Sequence, residues 1–120
     1  MKFFLDAYAL IEIAKGNKDY FKYYESDIVT LKPNLAELFY ILFRENEEQT
    51  AKIFFDIFSR IAVGIPLDHI PKAMIFRYNN RKRGFSYIDC FGYIYALESG
   101  RVFLTGDRAF KGMKNVEIIR

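Results

Sequence analysis

Four acidic residues, Asp6, Glu37, Asp89 and Asp107, stand where a strand should end or a helix should begin. They span almost the whole chain, yet an alternating fold can bring such points to one rim. Carboxylates crowded together repel one another and take up protons. A hard divalent cation removes that penalty, and carboxylate and water ligands suit Mg2+ or Mn2+ rather than zinc. Such a cation lowers the pKa of a bound water and neutralises charge on a phosphate under attack. The chemistry suggested is hydrolysis of a phosphodiester.

Each acid also has a plainer explanation. Asn34-Leu35-Ala36-Glu37 and Ser86-Tyr87-Ile88-Asp89 have capping-box spacing. Asp6 can cap a helix, and Asp107 can hold the Thr105-Gly106-Asp107 turn. Acids suit helix starts in any case. Asp6 fits this explanation least well. It ends an apolar run, where an ionised group is costly unless paired or liganded.

The elements that must position these residues can be read from the pattern. Lys2 to Asp6 reads as a buried strand, followed by a helix from Ala7 to Lys15 that Gly16 stops. A short helix covers Lys18 to Glu25, and Asp27 to Leu31 is a β-branched second strand. Pro33-Asn34 breaks it, and helices follow over Leu35–Arg44 and Glu48–Ala62. Gly64 to Asp68 is a weak third strand, with Pro66 favouring an edge. Pro71 opens a helix running to about Arg83, and Ser86 opens another running to about Glu98. Arg101–Thr105 and Val116–Ile119 are the last two strands. Strands alternate with helices throughout, which predicts one α/β domain over residues 1–120 with a mainly parallel sheet. In such sheets the site lies beyond the carboxyl ends of the strands, where the strand order reverses.

At this point the chain resembles a known family. Phe4-Leu5-Asp6-Ala7-Tyr8-Ala9-Leu10-Ile11 is similar to the opening motif of the PIN-domain ribonucleases. Asn34-Leu35-Ala36-Glu37-Leu38 resembles their second motif, and Asp89 with Cys90 to Ala96 their third. Leu104 to Phe110, followed by Val116-Glu117-Ile118-Ile119, resembles their fourth motif and last strand. The resemblance implies a three-layer domain with a five-stranded parallel sheet in the order 3-2-1-4-5. It also implies Mg2+ or Mn2+ held by Asp6, Glu37, Asp89 and Asp107, with Thr105 in support, and cleavage of RNA. Many compact members are VapC-type toxins inhibited by a small antitoxin, and many are homodimers. Two positions depart from the family pattern. Tyr8 replaces a small polar residue, and Ala109 stands where a further acid is common. This supports one metal site better than two.

The rest of the chain fits that reading without demanding it. Residues 1–60 hold 8 Lys and Arg against 10 Asp and Glu, while residues 61–120 hold 10 against 5. Arg77, Arg81, Lys82 and Arg83 form a basic cluster interleaved with Tyr78, Phe85 and Tyr87. It could hold RNA phosphates, or simply be a solvated helix end. Arg108, Lys111 and Lys114 could line the other side of a groove. One cysteine, Cys90, excludes an internal disulfide and a cysteine-based zinc site. The lone histidine, His69, beside a proline-containing turn, reads as a loop or cap residue. No segment approaches a membrane span, and the chain reads as cytoplasmic. Phe39, Tyr40 and Phe43, then Phe54, Phe55 and Phe58, are too many rings for one small core. An exposed apolar face is expected there, suited to an antitoxin or a second copy. The alternative to catalysis is a non-catalytic module of the same fold that binds RNA or protein. No glycine-rich phosphate loop supports a nucleotide cofactor.

Overall fold

Phe3, Phe4 and Leu5 are all buried, so the strand they form, β1 (Lys2–Leu5), has no solvent face. That pattern belongs to a parallel strand covered by helices on both sides. A computed structural model describes residues 1–119 and has this architecture. After β1 come α1 (Ala7–Ala14), a 3-10 turn (Lys18–Tyr20), α2 (Phe21–Tyr24) and β2 (Asp27–Leu31). Then follow α3 (Lys32–Arg44), α4 (Glu48–Ser59), β3 (Ala62–Val63) and α5 (His69–Asn79). A 3-10 turn (Arg81–Arg83), α6 (Tyr87–Glu98), β4 (Val102–Thr105), a 3-10 turn (Arg108–Phe110) and β5 (Val116–Ile118) complete the chain.

The five strands pair in parallel in the order 3-2-1-4-5, as expected. β1 lies at the centre, with Phe3 opposite Ile28 of β2 and Val102 of β4. Alternation along the strands divides the core in two. Phe3, Leu5 and Leu104 face Leu10, Leu38, Leu42 and Phe58 of α1, α3 and α4. Phe4 and Phe103 face the opposite way, onto Ala73, Tyr93 and Ala96 of α5 and α6. Gly92 lets α6 lie directly on the sheet, since a Cβ there would stand 2.8 Å from the Phe4 ring.

Several boundaries differ from expectation: the helix expected to reach Ala62 ends at Ser59, the one expected over Lys18–Glu25 divides into a 3-10 turn and α2, and three further differences have a clear physical reason. α3 starts at Lys32, not Leu35, so Pro33 lies in its first turn. The N–H groups of a first turn have no helical partner, and proline loses nothing there. The third strand is Ala62–Val63, paired with Thr30 and Leu31, rather than Gly64–Asp68. Thr30 and Leu31 are the last β2 residues free to pair, and Pro66 brings no N–H to a ladder. The helix expected from Pro71 to Arg83 instead runs from His69 to Asn79. Asn80 closes it, with its side-chain amide donating to the Phe76 carbonyl at 2.9 Å. His69 is the first residue of α5 and is buried, with Nδ1 lacking a partner. Cys90 is fully buried, and burial pushes its thiol up to about 11. Tyr40, Phe43 and Phe55 remain exposed on α3 and α4, as the surplus of rings predicted. Among the described residues no helix is long and apolar enough to cross a membrane.

Candidate active site

The carboxyl ends of β1 and β4 lie side by side, at the point where the strand order reverses. Asp6 directly follows β1 and caps α1, its Oδ1 accepting from the Ala9 N–H at 2.9 Å. Its Oδ2 accepts from the Thr105 hydroxyl at the end of β4. The same hydroxyl oxygen accepts from the Asp107 N–H at 2.9 Å. Thr105 is fully buried and so couples the first acid to the backbone of the fourth. Asp107 caps the 3-10 turn after β4, with Oδ1 accepting from the Ala109 N–H at 2.9 Å.

Asp89 and Glu37 arrive from opposite faces of the sheet. Asp89 forms the expected capping box of α6: its Oδ2 accepts from the Ser86 N–H at 2.9 Å, and its own N–H donates to Ser86 Oγ at 3.0 Å. Glu37 does not form the capping box expected of it. Because α3 begins five residues earlier, Glu37 stands inside the helix, and α3 has no side-chain cap. Its Oε1 is buried without any hydrogen-bond partner. Asn34, one turn earlier on the same helix, is buried with its Oδ1 likewise unpartnered.

All four acids line one cavity of about 110 Å³, together with Ala7, Tyr8, Ile11 and Ile41. The apolar walls make it a poor solvent for charge. Burial is the main force pushing the Asp6 carboxyl up to about 8. The bonds from Thr105 and Ala9 pull it back, and the charges of Asp89 and Asp107 push it further up. Glu37 is raised by burial first, then by Asp89 and Asp107. Asp89 is raised by burial and by Asp107, against the pull of its two Ser86 bonds. Asp6, Glu37 and Asp89 are thus all made costlier to ionise, by burial first and by neighbouring acids second.

Among the described residues no three or more His, Cys, Asp or Glu side chains are already drawn into cation-holding geometry. The donor chemistry nevertheless fits a hard cation. It is all oxygen, it is mutually repulsive, and it includes a buried carboxylate oxygen with nothing to bond.

The basic residues lie beside this pocket rather than in it. Arg77 Nε donates to the Phe85 carbonyl at 3.2 Å, and its guanidinium lies 4.2 Å from the Tyr87 ring centre. Arg81 donates to the Tyr78 carbonyl and stacks on the Tyr78 ring at 4.4 Å. Arg83 donates to the carbonyls of Ala109 and Lys111, at 2.9 and 2.8 Å. It thereby ties the basic turn to the loop that follows Asp107. Lys82, Arg108, Lys111 and Lys114 are exposed. Asn79 to Arg83 together line a shallow groove of about 390 Å³.

In the sequence Asn34 reads only as a cap, and Tyr8 as a departure that could block the metal and so favour a non-catalytic module. The missed signal at Asn34 was its spacing: Asn34, Glu37 and Ile41 share one face of α3 at helical intervals. Tyr8 proves to form part of the pocket wall.

No family model and no curated protein sequence matches the chain. Solved structures do. VapC20 of Mycobacterium tuberculosis, described as a toxin that cleaves the sarcin–ricin loop, superposes with a TM-score of 0.79 at 15% identity. That match covers 93% of this chain and 95% of the other. VapBC2 of Rickettsia felis, solved with a DNA fragment of its promoter, gives 0.79 at 17% identity over 100% of both chains. A toxin–antitoxin complex from Klebsiella pneumoniae gives 0.74 at 15% identity, covering 96% of this chain and 95% of that one. The chain has the fold of the VapC toxins, the PIN domain, along its whole described length.

Proposed function

We propose that this chain is a metal-dependent endoribonuclease that hydrolyses RNA phosphodiester bonds, the toxin of a toxin–antitoxin pair acting in the cytoplasm. The observation that carries this reading is the convergence of Asp6, Glu37, Asp89 and Asp107 on one cavity at the strand-order reversal. Glu37, half-buried with one fully buried and unpartnered oxygen, is its sharpest element. The four carboxylates would hold Mg2+ or Mn2+, which when bound supplies an acidified water and neutralises the phosphate. The chain's own residues do the rest. Thr105 fixes the orientation of Asp6 and the turn bearing Asp107, Ile11 and Ile41 exclude bulk water, and the neighbouring basic turn attracts the RNA backbone. Asp6→Asn is expected to lower RNA cleavage in Mg2+ or Mn2+ by about a hundredfold or more. Full activity in that variant, or in excess chelator, would overturn the proposal.

A second reading, a non-catalytic module binding RNA or protein, is favoured by one observation. Asp6, Asp89 and Asp107 each already serve as helix or turn caps. Calorimetry with Mn2+ separates the two readings. Binding by the wild type that is lost in Glu37→Gln supports the nuclease, and no binding by the wild type supports the module.

An antitoxin partner follows from the same reading, since two of the solved neighbours are toxin–antitoxin assemblies. A groove of about 440 Å³ lined by Ile13, Phe21, Tyr24, Phe54 and Ile57 suits the apolar face of a partner helix. The exposed Tyr40, Phe43 and Phe55 suit a second copy of the chain. Light scattering of the purified protein, alone and with the product of a neighbouring gene, tests both.

A further inference from the structure

We propose that the ring of Tyr8 is a stacking platform for an unpaired nucleobase next to the scissile phosphate, and so selects single-stranded segments of RNA. The inference rests on the nuclease reading for its substrate, and on the position of one side chain for its content. Tyr8 stands in the first turn of α1, two residues after Asp6, and forms the wall of the acidic cavity beside Glu37, Asp89 and Asp107. One edge of its ring lies over Gly106, in the turn between Thr105 and Asp107. A Cβ at Gly106 would collide with that ring and would stand 2.5 Å from the Tyr20 hydroxyl. The glycine thus makes room for the tyrosine, and the turn holds the ring in place. Tyr8 nonetheless remains 46% exposed, at the mouth of the pocket.

The surroundings say what such a ring is useful for. The pocket walls offer a polyanion four carboxylates and no cationic side chain. Tyr8 is the aromatic ring among the pocket's lining residues, and an uncharged aromatic face attracts a nucleobase without opposing the charge of its phosphate. Stacking of bases on aromatic side chains is strong and tolerant of sequence. It needs a base whose face is free, which a base inside a duplex lacks. Tyr78 and Tyr87, the exposed rings of the basic turn, differ in that a guanidinium already lies over each of them. They are built to hold cations, whereas Tyr8 is built to meet a substrate.

The test uses the full chain carrying Asp107→Asn, to silence cleavage, in Mg2+, with a single-stranded oligoribonucleotide containing 2-aminopurine. Tyr8→Phe keeps the ring, and Tyr8→Leu keeps apolar cover over Gly106 without it. The expected result is quenching of 2-aminopurine and affinity within about twofold of the parent for Tyr8→Phe. For Tyr8→Leu, quenching is lost and binding falls about tenfold or more, by the same factor at every salt concentration. A duplex of the same sequence should bind both variants equally. The proposal is overturned if Tyr8→Leu binds and quenches like its parent, if Tyr8→Phe falls as far as Tyr8→Leu, or if the parent binds no single strand. Cleavage is read separately on chains with Asp107 intact. A wild type that cleaves no RNA, while the stacking pattern holds, sinks the nuclease reading and leaves this one standing.

Discussion

The acidic pocket and the basic turn beside it handle charge in opposite ways. In the turn, Arg77, Arg81 and Arg83 are each spent on a carbonyl, and two of them also cover a tyrosine ring. In the pocket, burial raises three carboxyls and their neighbours raise them further, while one oxygen bonds to nothing. Satisfied charges hold a structure together. Carboxyls that burial and one another make costly to ionise, on a fixed frame, add nothing comparable to the structure's cohesion.

The contrast can be broken at measurable points. The largest effect is expected at Asp6. Its folded pKa, about 8, lies above its ordinary value of 3.8. Between these values the folded chain binds the extra proton, so stability without metal should fall as pH rises from about 4 to about 8. The slope for one proton is about 1.4 kcal/mol per pH unit. Asp6→Asn removes that proton, and urea melts of the variant should lose the share of the slope due to Asp6, leaving what Glu37 and Asp89 contribute. An unchanged slope would show that Asp6 ionises freely in the fold. Gly106→Ala is next, because its new methyl group must displace Tyr8 or Tyr20. A cost of about 1–3 kcal/mol is expected in the same melts.

On the basic side the effects should be smaller. Arg83→Ala frees the loop after Asp107 and should cost about 1 kcal/mol, since its two charge-assisted bonds are exposed. Lys82→Ala should leave stability within about 0.5 kcal/mol of wild type. It should reduce the salt slope of RNA binding by about one if Lys82 meets a phosphate. Should Lys82→Ala destabilise as much as Gly106→Ala, the two regions would not differ in the way described.

Much of this was legible in the sequence, for a physical reason. A strand buried on both faces must be apolar at every position, and Phe3-Phe4-Leu5 and Val102-Phe103-Leu104 satisfy that without ambiguity. The order of four acids at element ends carried the resemblance that the fold bears out. Local chemistry was harder to read. Pro33 suits the end of a strand and the first turn of a helix alike; it lies in the first turn of α3, which carries Glu37 past the position where a capping bond can form. The two-residue β3 was missed because nothing in Ala62-Val63 announces a strand; its pairing with Thr30 and Leu31 makes it one. The position of Tyr8 over Gly106 depends on two segments almost a whole chain apart, and no window of sequence contains both.

The Thr105–Asp6 bond joins residues 99 positions apart. A polypeptide emerging from the ribosome builds its amino-terminal elements first. It can fold α1 to α4 against one another while still lacking β4, Thr105 and Asp107. Until that last segment is made, Asp6 has no partner across the sheet and the cavity has no fourth wall. A chain truncated before β4 lacks both Thr105 and Asp107 and should not assemble the four-acid cavity, however well its earlier elements fold.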